Sequence, residues 1–496
     1  MRDLTQGNPL KLILIFTLPL FIGNLFQQLY NFSDVLIVGQ TLGVKPLAAV
    51  GSTSSLNFLI IGFANGLTAG FAIVSAQRWG ARDLPGVRKS FATSIVFSIL
   101  VTIVLTALSL IFLNPVMHMM SIPANIYGNA KTFISIIFAG IFSFVLFNML
   151  SNELRALGDS RTPLFFLIIG TVLNVILELL FILVFHWGVA GSGLATVSSQ
   201  LVASLLCIVY IIKRVPVLHV EWSDFKAVPS EFANHARYGL PMAFQTSIIA
   251  VGSLFLQSAL NSLGTDAVAA TTSASKIDQL ATLPMMSFGI TMATYTAQNL
   301  GAAQFERIIK GVKQALMASV SFSILVGALI ILYGQKMVML FIDNQDAHAL
   351  VLSQTYFNIV GFSYWILAIL FIVRYTLQGL GQSLMPTLAG VAELCMRSFA
   401  AFILVHYFQY AGACFASPLA WLGSTLVLIT SYVTAMHTLH NMQRMQEQVT
   451  GNNDPQFTES FIRRVEQTFK VTVNKATLAR LKNRPIEPED EGVEQA

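Results

Sequence analysis

Few of the 496 residues carry charge: Lys, Arg, Asp and Glu together make up 11% of the chain, where ordinary soluble domains carry ~25%. That is too little polar surface to cover the roughly three water-facing domains this length would otherwise suggest. Cysteine is scarcer still. Cys207, Cys395 and Cys414 all fall in apolar segments without metal-ligand spacing, so neither a disulfide framework nor a zinc site is indicated. No P-loop, HExxH or GxSxG pattern occurs, and no enzymatic activity is expected. The formal charge of +5 arises from 29 Lys and Arg scattered in short clusters between apolar runs, which argues against nucleic-acid binding.

What is abundant is apolar sequence, 55% of the chain. A membrane span needs about 20 mostly apolar residues. Twelve such stretches can be marked, centred near Ile22, Gly62, Ile103, Gly140, Leu173, Leu201, Val251, Met286, Leu325, Gly361, Phe399 and Leu428. The first run, in MRDLTQGNPLKLILIF, is followed by no small-residue cleavage site and reads as a retained span. Basic residues fix the direction. Arg2, Lys11, Arg78, Arg82, Arg88, Lys89, Arg155, Arg161, Lys213, Arg214, Lys226, Arg237, Arg307, Lys310, Lys313, Arg374, Arg444 and the tail fall on one side, against little more than Lys45, Lys131 and Lys336 on the other. The positive-inside rule then places both termini in the cytoplasm of a multi-pass cell-membrane protein.

The chain also repeats itself. Leu18-Pro19 recurs as Leu240-Pro241, Leu42-Gly43 as Leu263-Gly264, and Ala48-Ala49 as Ala269-Ala270. Ala76-Gln77-x-x-Gly80-Ala81 recurs as Ala297-Gln298-x-x-Gly301-Ala302, and Leu157-Gly158-x-Ser160-x-x-Pro163 as Leu380-Gly381-x-Ser383-x-x-Pro386. Five ordered matches at offsets of 221 to 223 residues mark a duplicated six-span unit. The expected fold is an all-α polytopic membrane protein of 12 transmembrane helices, in two six-helix bundles related by pseudo-two-fold symmetry along the membrane normal. The expected division is an amino-terminal lobe 1–215, a linker 216–236, a carboxyl-terminal lobe 237–440 and a polar tail 441–496. Within the tail, Phe461, Ile462, Val465 and Phe469 recur at helical spacing. They suit either an amphipathic helix on the inner membrane surface or a solvated helix; the residues from Pro485 onward are too polar to fold alone.

Ionisable side chains at membrane depth cost on the order of 3 kcal/mol and are functional candidates by default. Six stand out: Asp34, Glu178, Lys276, Asp278, Glu393 and Arg397. A rise of 1.5 Å per residue puts Asp34 about 35 Å along its helix from Lys11 and about 16 Å from Lys45, and puts Glu178 about 25 Å from Arg161. Asn174 and Glu178 are four apart and share a helix face, and Thr196 returns to the same level on the next span. Asp34, Asn174, Glu178 and Thr196 thus form a candidate cation-coupling set of hard oxygen ligands, suited to Na⁺ or, through the paired acids, to H⁺. For Asn174 and Thr196, ordinary interhelical hydrogen bonding stands as the alternative. Glu393 and Arg397 are spaced for an ion pair along one helix, with cavity lining the other role open to them. Lys276 and Asp278 point to different faces, toward other helices or a cavity. Pro19 removes one backbone hydrogen bond from the first span and is a candidate hinge.

These residues resemble a known family. Pro19 with Asp34, Ala76-Gln77-x-x-Gly80-Ala81, Arg155-Ala156-Leu157-Gly158-Asp159-Ser160-x-x-Pro163, Asn174-x-x-x-Glu178 and the run Gly188–Thr196 are similar to multidrug and toxic compound extrusion (MATE) transporters. The likeness covers roughly residues 8 to 440, and Ala274-Ser275-Lys276-Ile277-Asp278 points to the bacterial drug-efflux branch. The resemblance implies a secondary antiporter that exports amphipathic, cationic drug-like compounds in exchange for Na⁺ or H⁺ by alternating access. It implies no other cofactor, a monomer embedded in lipid, and a cation site at Asp34, Asn174, Glu178 and Thr196. It also departs from the family: the fifth-span acid is usually Asp, a fourth-span Tyr is Phe133 here, and spans seven and ten offer Gln245 and Arg374 where some members carry acids. Gln245, Lys276, Asp278, Glu393 and Arg397 are the candidate substrate-cavity residues. The runner-up is a lipid-linked oligosaccharide flippase of the same broad fold, which would need a wide cationic cavity; four membrane-depth acids against two bases weigh against it.

Overall fold

The computed structural model describes residues 3–120, 122–226, 228–339, 347–451 and 455–469, and the regular structure among them is entirely helical. Spans one to six are Pro9–Leu42, Ser54–Gly80, Leu84–Ile111, the pair Ala124–Ala139 with Ile141–Ala156, Arg161–Leu179 and Gly188–Arg214. Spans seven to twelve are Pro229–Asn261, Thr265–Gly301, Phe305–Val338, the pair Ala347–Phe362 with Tyr364–Gly379, Leu384–Phe399 continued by Val405–Cys414, and Ala416–Gly451. Every expected centre falls in its own span. Spans four and ten are bent, by 46° and 45°. Nine of the described helices are long and apolar enough to cross a membrane alone, and the two bent pairs do so jointly. Span eight is the twelfth; its 37 residues include Thr271, Ser275, Lys276, Asp278 and Gln279, so only its half around Met286 reads as apolar.

The repeated motifs are turn chemistry. Gly158 (φ 86°) and Gly381 (φ 87°) end spans four and ten in the left-handed region, which only glycine enters without a Cβ penalty. Asp159 then accepts from the backbone N–H groups of Arg161 (3.1 Å) and Thr162 (3.0 Å), capping the first turn of span five. Asp83 caps span three in the same way through Gly86 N–H at 3.0 Å, with Pro85 in the first turn. The duplication extends to the backbone: left-handed residues pair at Gly43 and Gly264, Arg82 and Ala303, and His186 and Gln409. A π-helical turn follows span five at Leu180–Val184 and interrupts span eleven at Ala400–Leu404, again about one repeat apart.

The packing forms two units that interleave along the chain, in place of lobes meeting at a linker of 216–236. Among the described residues, one holds Ile22–Ala243; the other holds Leu4–Phe21 and the residues from Phe244 to Phe469. Span one therefore changes unit two residues after Pro19, and span seven two residues after Pro241. Sequence order could not show this, because it follows from which faces find partners. In the second unit Leu4 N donates to Gln298 Oε1 at 3.2 Å and its carbonyl accepts from Asn299 Nδ2 at 3.2 Å. Arg307 Nη1 donates to the Gly7 carbonyl at 2.7 Å, and Thr17 and Thr291 share a hydroxyl contact of 2.8 Å. The first unit holds the foot of span seven through glycine contacts: a Cβ on Gly66 would lie 2.6 Å from the Met242 carbonyl oxygen, and one on Gly70 2.5 Å from Gly239 Cα.

The tail helix, Pro455–Phe469, corrects both readings offered for it. Phe461, Val465 and Phe469 are buried in the second unit's core, with the rings of Phe461 and Phe469 at 6.4 Å and 6.1 Å from that of Phe305. The apolar stripe faces protein, because the start of span nine supplies an aromatic platform for it. Arg463 pairs with Glu459 at 2.7 Å on the exposed face. The polar end from Pro485 lies outside the described residues.

Candidate functional site

In the first unit, spans one, five and six bring together the four residues named as a cation set. Ser192 Oγ donates to Asp34 Oδ1 at 3.0 Å, and Asn174 Nδ2 donates to Thr196 Oγ1 at 3.4 Å. Thr196 and Glu178 are also neighbours of the Asp34 carboxyl. Tyr30, one turn before Asp34, turns its hydroxyl toward Thr196 and Ser199. Asn174 and Glu178 are 0% exposed and Thr196 7%, while Asp34 is half-buried.

The decisive detail is what these groups lack. Both Glu178 carboxylate oxygens, Asn174 Oδ1 and Tyr30 Oη are buried without a hydrogen-bond partner. A buried polar atom left unpaired is destabilising, and three of these four are acceptors. Two carboxyl groups, an amide oxygen and hydroxyls form a set that Na⁺ or protons satisfy and an anion does not. Helix geometry at the site is also irregular, since the π turn Leu180–Val184 begins two residues after Glu178, and such turns concentrate at functional positions.

The second unit is arranged differently. Glu393 pairs with Arg374 of span ten, and Arg374 Nη2 also donates to Ser424 Oγ at 2.8 Å. The expected pair along the helix with Arg397 is therefore corrected: Arg397 Nη1 instead approaches Ser253 Oγ at 3.4 Å. Arg374 prevails because it approaches from a neighbouring buried helix. Gln378 Nε2 donates to Gln245 Oε1 at 3.0 Å. Asp278 Oδ1 accepts from Tyr364 Oη at 2.7 Å, with Tyr356 turned to the same carboxyl, while Lys276 is exposed. Asp278 and Lys276 thus point apart, as their spacing requires.

Several further polar residues lie in these clusters. Ser192 and Tyr30 join the first cluster, and Tyr30 is spaced four before Asp34, a legible signal. Glu153, two residues before Arg155, reads as a cytoplasmic-edge residue by sequence yet is 1% exposed.

Two copies of a six-span repeat, with a carboxyl cluster enclosed within one unit, define a multi-pass membrane transport protein. The chain belongs to the MatE family, whose model matches residues 19–180 and 241–403, one copy in each half. It is 29% identical over 384 residues to the probable multidrug resistance protein YpnP of Bacillus subtilis (strain 168), covering 77% of this chain and 85% of that protein. It is 26% identical over 432 residues to the probable multidrug resistance protein YoeA of the same organism, covering 84% and 92%. A solved structure described as the outward-facing conformation of a multidrug resistance MATE family transporter of the MOP superfamily matches its fold, with a TM-score of 0.82 at 24% identity over 88% of this chain and 98% of that one. The resemblance drawn from the motifs is borne out.

Proposed function

We propose that the protein is a secondary exporter of amphipathic, cationic drug-like compounds in the cell membrane, with both termini cytoplasmic, driven by inward movement of Na⁺ or H⁺ bound at Asp34 and Glu178. The observation that carries this reading is the set of buried, unpartnered oxygens on Glu178 and Asn174 beside Asp34: a cation entering there gains ligands that the protein alone leaves unsatisfied. Asn174 and Thr196 complete the oxygen set, and Ser192 orients Asp34. The relatives' names, both of them multidrug resistance proteins, support the export of drugs. Cationic cargo is supported by the charge balance, since Arg374 neutralises Glu393 and leaves Asp278 a carboxylate held by hydroxyls. Gln245, Lys276, Asp278 and Arg397 are the proposed cargo contacts.

The test is export of an ethidium-type cation from proteoliposomes under an imposed Na⁺ or H⁺ gradient. Asp34→Asn and Glu178→Gln are each expected to abolish gradient-driven export while the protein still inserts and folds, because each removes the charge that binds the driving cation. Full export by both variants at saturating gradient would defeat the assignment. Export under one gradient alone identifies the ion.

A further inference from the structure

The first unit contains a second buried acid that the cation cluster does not use. Glu153, on span four, receives Ser94 Oγ on Oε1 at 3.0 Å, while its Oε2 is buried without a partner. Ser75 of span two turns its hydroxyl to the same carboxyl. Ser75 and Ser90 share a hydrogen bond of 2.8 Å, and Ser90 Oγ meets His235 Nε2 at 3.0 Å. His235 Nδ1 lies 2.8 Å from the Glu231 carbonyl. Ser75, Ser90, Ser94 and His235 are all 0% exposed.

The donors and acceptors in this chain have a direction. A carbonyl only accepts, so His235 Nδ1 carries a proton. A neutral His235 must then accept at Nε2 from Ser90, Ser90 must accept from Ser75, and Ser75 presents a lone pair to Glu153. Glu153 completes that arrangement only as the protonated acid. The alternative arrangement reverses every hydroxyl: Glu153 is a carboxylate receiving Ser75, and His235 is an imidazolium donating to Ser90. Passing from the first to the second moves one proton from the Glu153 carboxyl group to Ser75 Oγ, one from Ser75 to Ser90, and one from Ser90 to His235 Nε2, with no net change in the number of bound protons.

We propose that Glu153 and His235 form a second proton-binding site, which holds one proton shared along the Ser75–Ser90 wire at the basic end of the first unit. Charged neighbours fit it. On span two, Arg78 is occupied by Glu231, its Nη2 donating to both carboxylate oxygens at 2.7 Å, and by the Gly86 carbonyl at 2.8 Å. On span four, Arg155 faces Asn152 at 3.2 Å and Cys207 of span six. Tyr238 of span seven interacts with Gln77. None of these supplies Glu153 with a cation. The repeat offset places Thr376 and Thr296 where the first half has Glu153 and Ser75, so the carboxyl belongs to this half alone. The site is distinct from Asp34 and Glu178: about 25 Å of helix separates Glu178 from the start of span five.

The test is infrared titration of the full-length protein in lipid nanodiscs, reading the protonated-carboxyl C=O stretch. Glu153→Gln is expected to remove one component of that band, and His235→Gln and Ser90→Ala are each expected to shift the midpoint of the same component by about tenfold in proton affinity. Ser90→Ala keeps the test valid should Glu153→Gln fail to fold. Asp34→Asn with Glu178→Gln is expected to leave this component in place, so its failure and that of the coupling site are separable. A band unchanged by Glu153→Gln, or a midpoint unmoved by both His235→Gln and Ser90→Ala, would overturn the proposal.

Discussion

Gly70→Ala tests how tightly the foot of span seven is held. The added methyl would lie 2.5 Å from Gly239 Cα and 2.7 Å from Gly239 N and the Tyr238 carbonyl carbon. All three are backbone atoms, so no side chain can rotate away. Restoring ordinary contact of about 3.5 Å requires the two helices to separate by about 1 Å. Overpacking of this kind costs about 1–3 kcal/mol. The same displacement takes the Ser90 to His235 contact from 3.0 Å beyond hydrogen-bonding range, adding about 1 kcal/mol. Together these weaken docking of the foot by about 2–4 kcal/mol, or about thirty- to seven-hundred-fold in population. Spin labels at the exposed positions Lys89 and Ala233, in a background freed of native cysteines, report the separation by pulsed dipolar spectroscopy. The expected result is a longer, broader distance distribution in Gly70→Ala and an unchanged one in Gly128→Ala, whose methyl would meet nothing within 4 Å. Identical distributions for Gly70→Ala and the parent would refute the reasoning.

Other perturbations follow from the second unit. Arg374→Met leaves Glu393 buried without its cation and is expected to cost about 3–5 kcal/mol, whereas Arg374→Met combined with Glu393→Met recovers most of it; thermal denaturation in detergent of the single and double variants checks the cycle. Phe461→Ala in the tail helix is expected to lose about 3–5 kcal/mol of core contact and to make the tail cleavable by dilute protease at concentrations that leave the parent intact. Pro19→Ala restores a helix hydrogen bond where span one changes unit; slower export turnover than in Pro241→Ala would mark Pro19 as a hinge, and equal rates in both variants and the parent would exclude it.

The parts of this molecule legible in the sequence are those encoded by periodicity and repetition. Twelve apolar stretches gave twelve spans, and the repeated Leu-Gly steps marked the duplication. Asn174 and Glu178 could be placed on one face, and Asp34 and Thr196 at their depth, because rise per residue fixes level along a helix. Partner choice between helices is another matter. Spacing offered Arg397 to Glu393, yet the packed structure supplies Arg374, nineteen residues earlier. Glu153 escaped notice because its partners Ser75, Ser94 and His235 come from three other spans, and a lone carboxylate near a basic loop carries no mark of being enclosed. The exchange of Leu4–Phe21 into the second unit is invisible for the same reason.

That exchange bears on how the chain is made. Thr17 and its partner Thr291 are 274 residues apart. At about 5–20 residues per second, the first half-span waits about 15–60 s before the ribosome delivers the helices that bind it. Leu4, Gly7 and Thr17 spend that time in the membrane or at its surface with their eventual partners Gln298, Asn299 and Arg307 not yet synthesised. Ribosome stalling shortly before Gln298 would therefore leave the oldest segment of the protein unanchored while the unit built from Ile22–Ala243 already has all its elements, so the amino terminus is the part a quality-control protease would reach first.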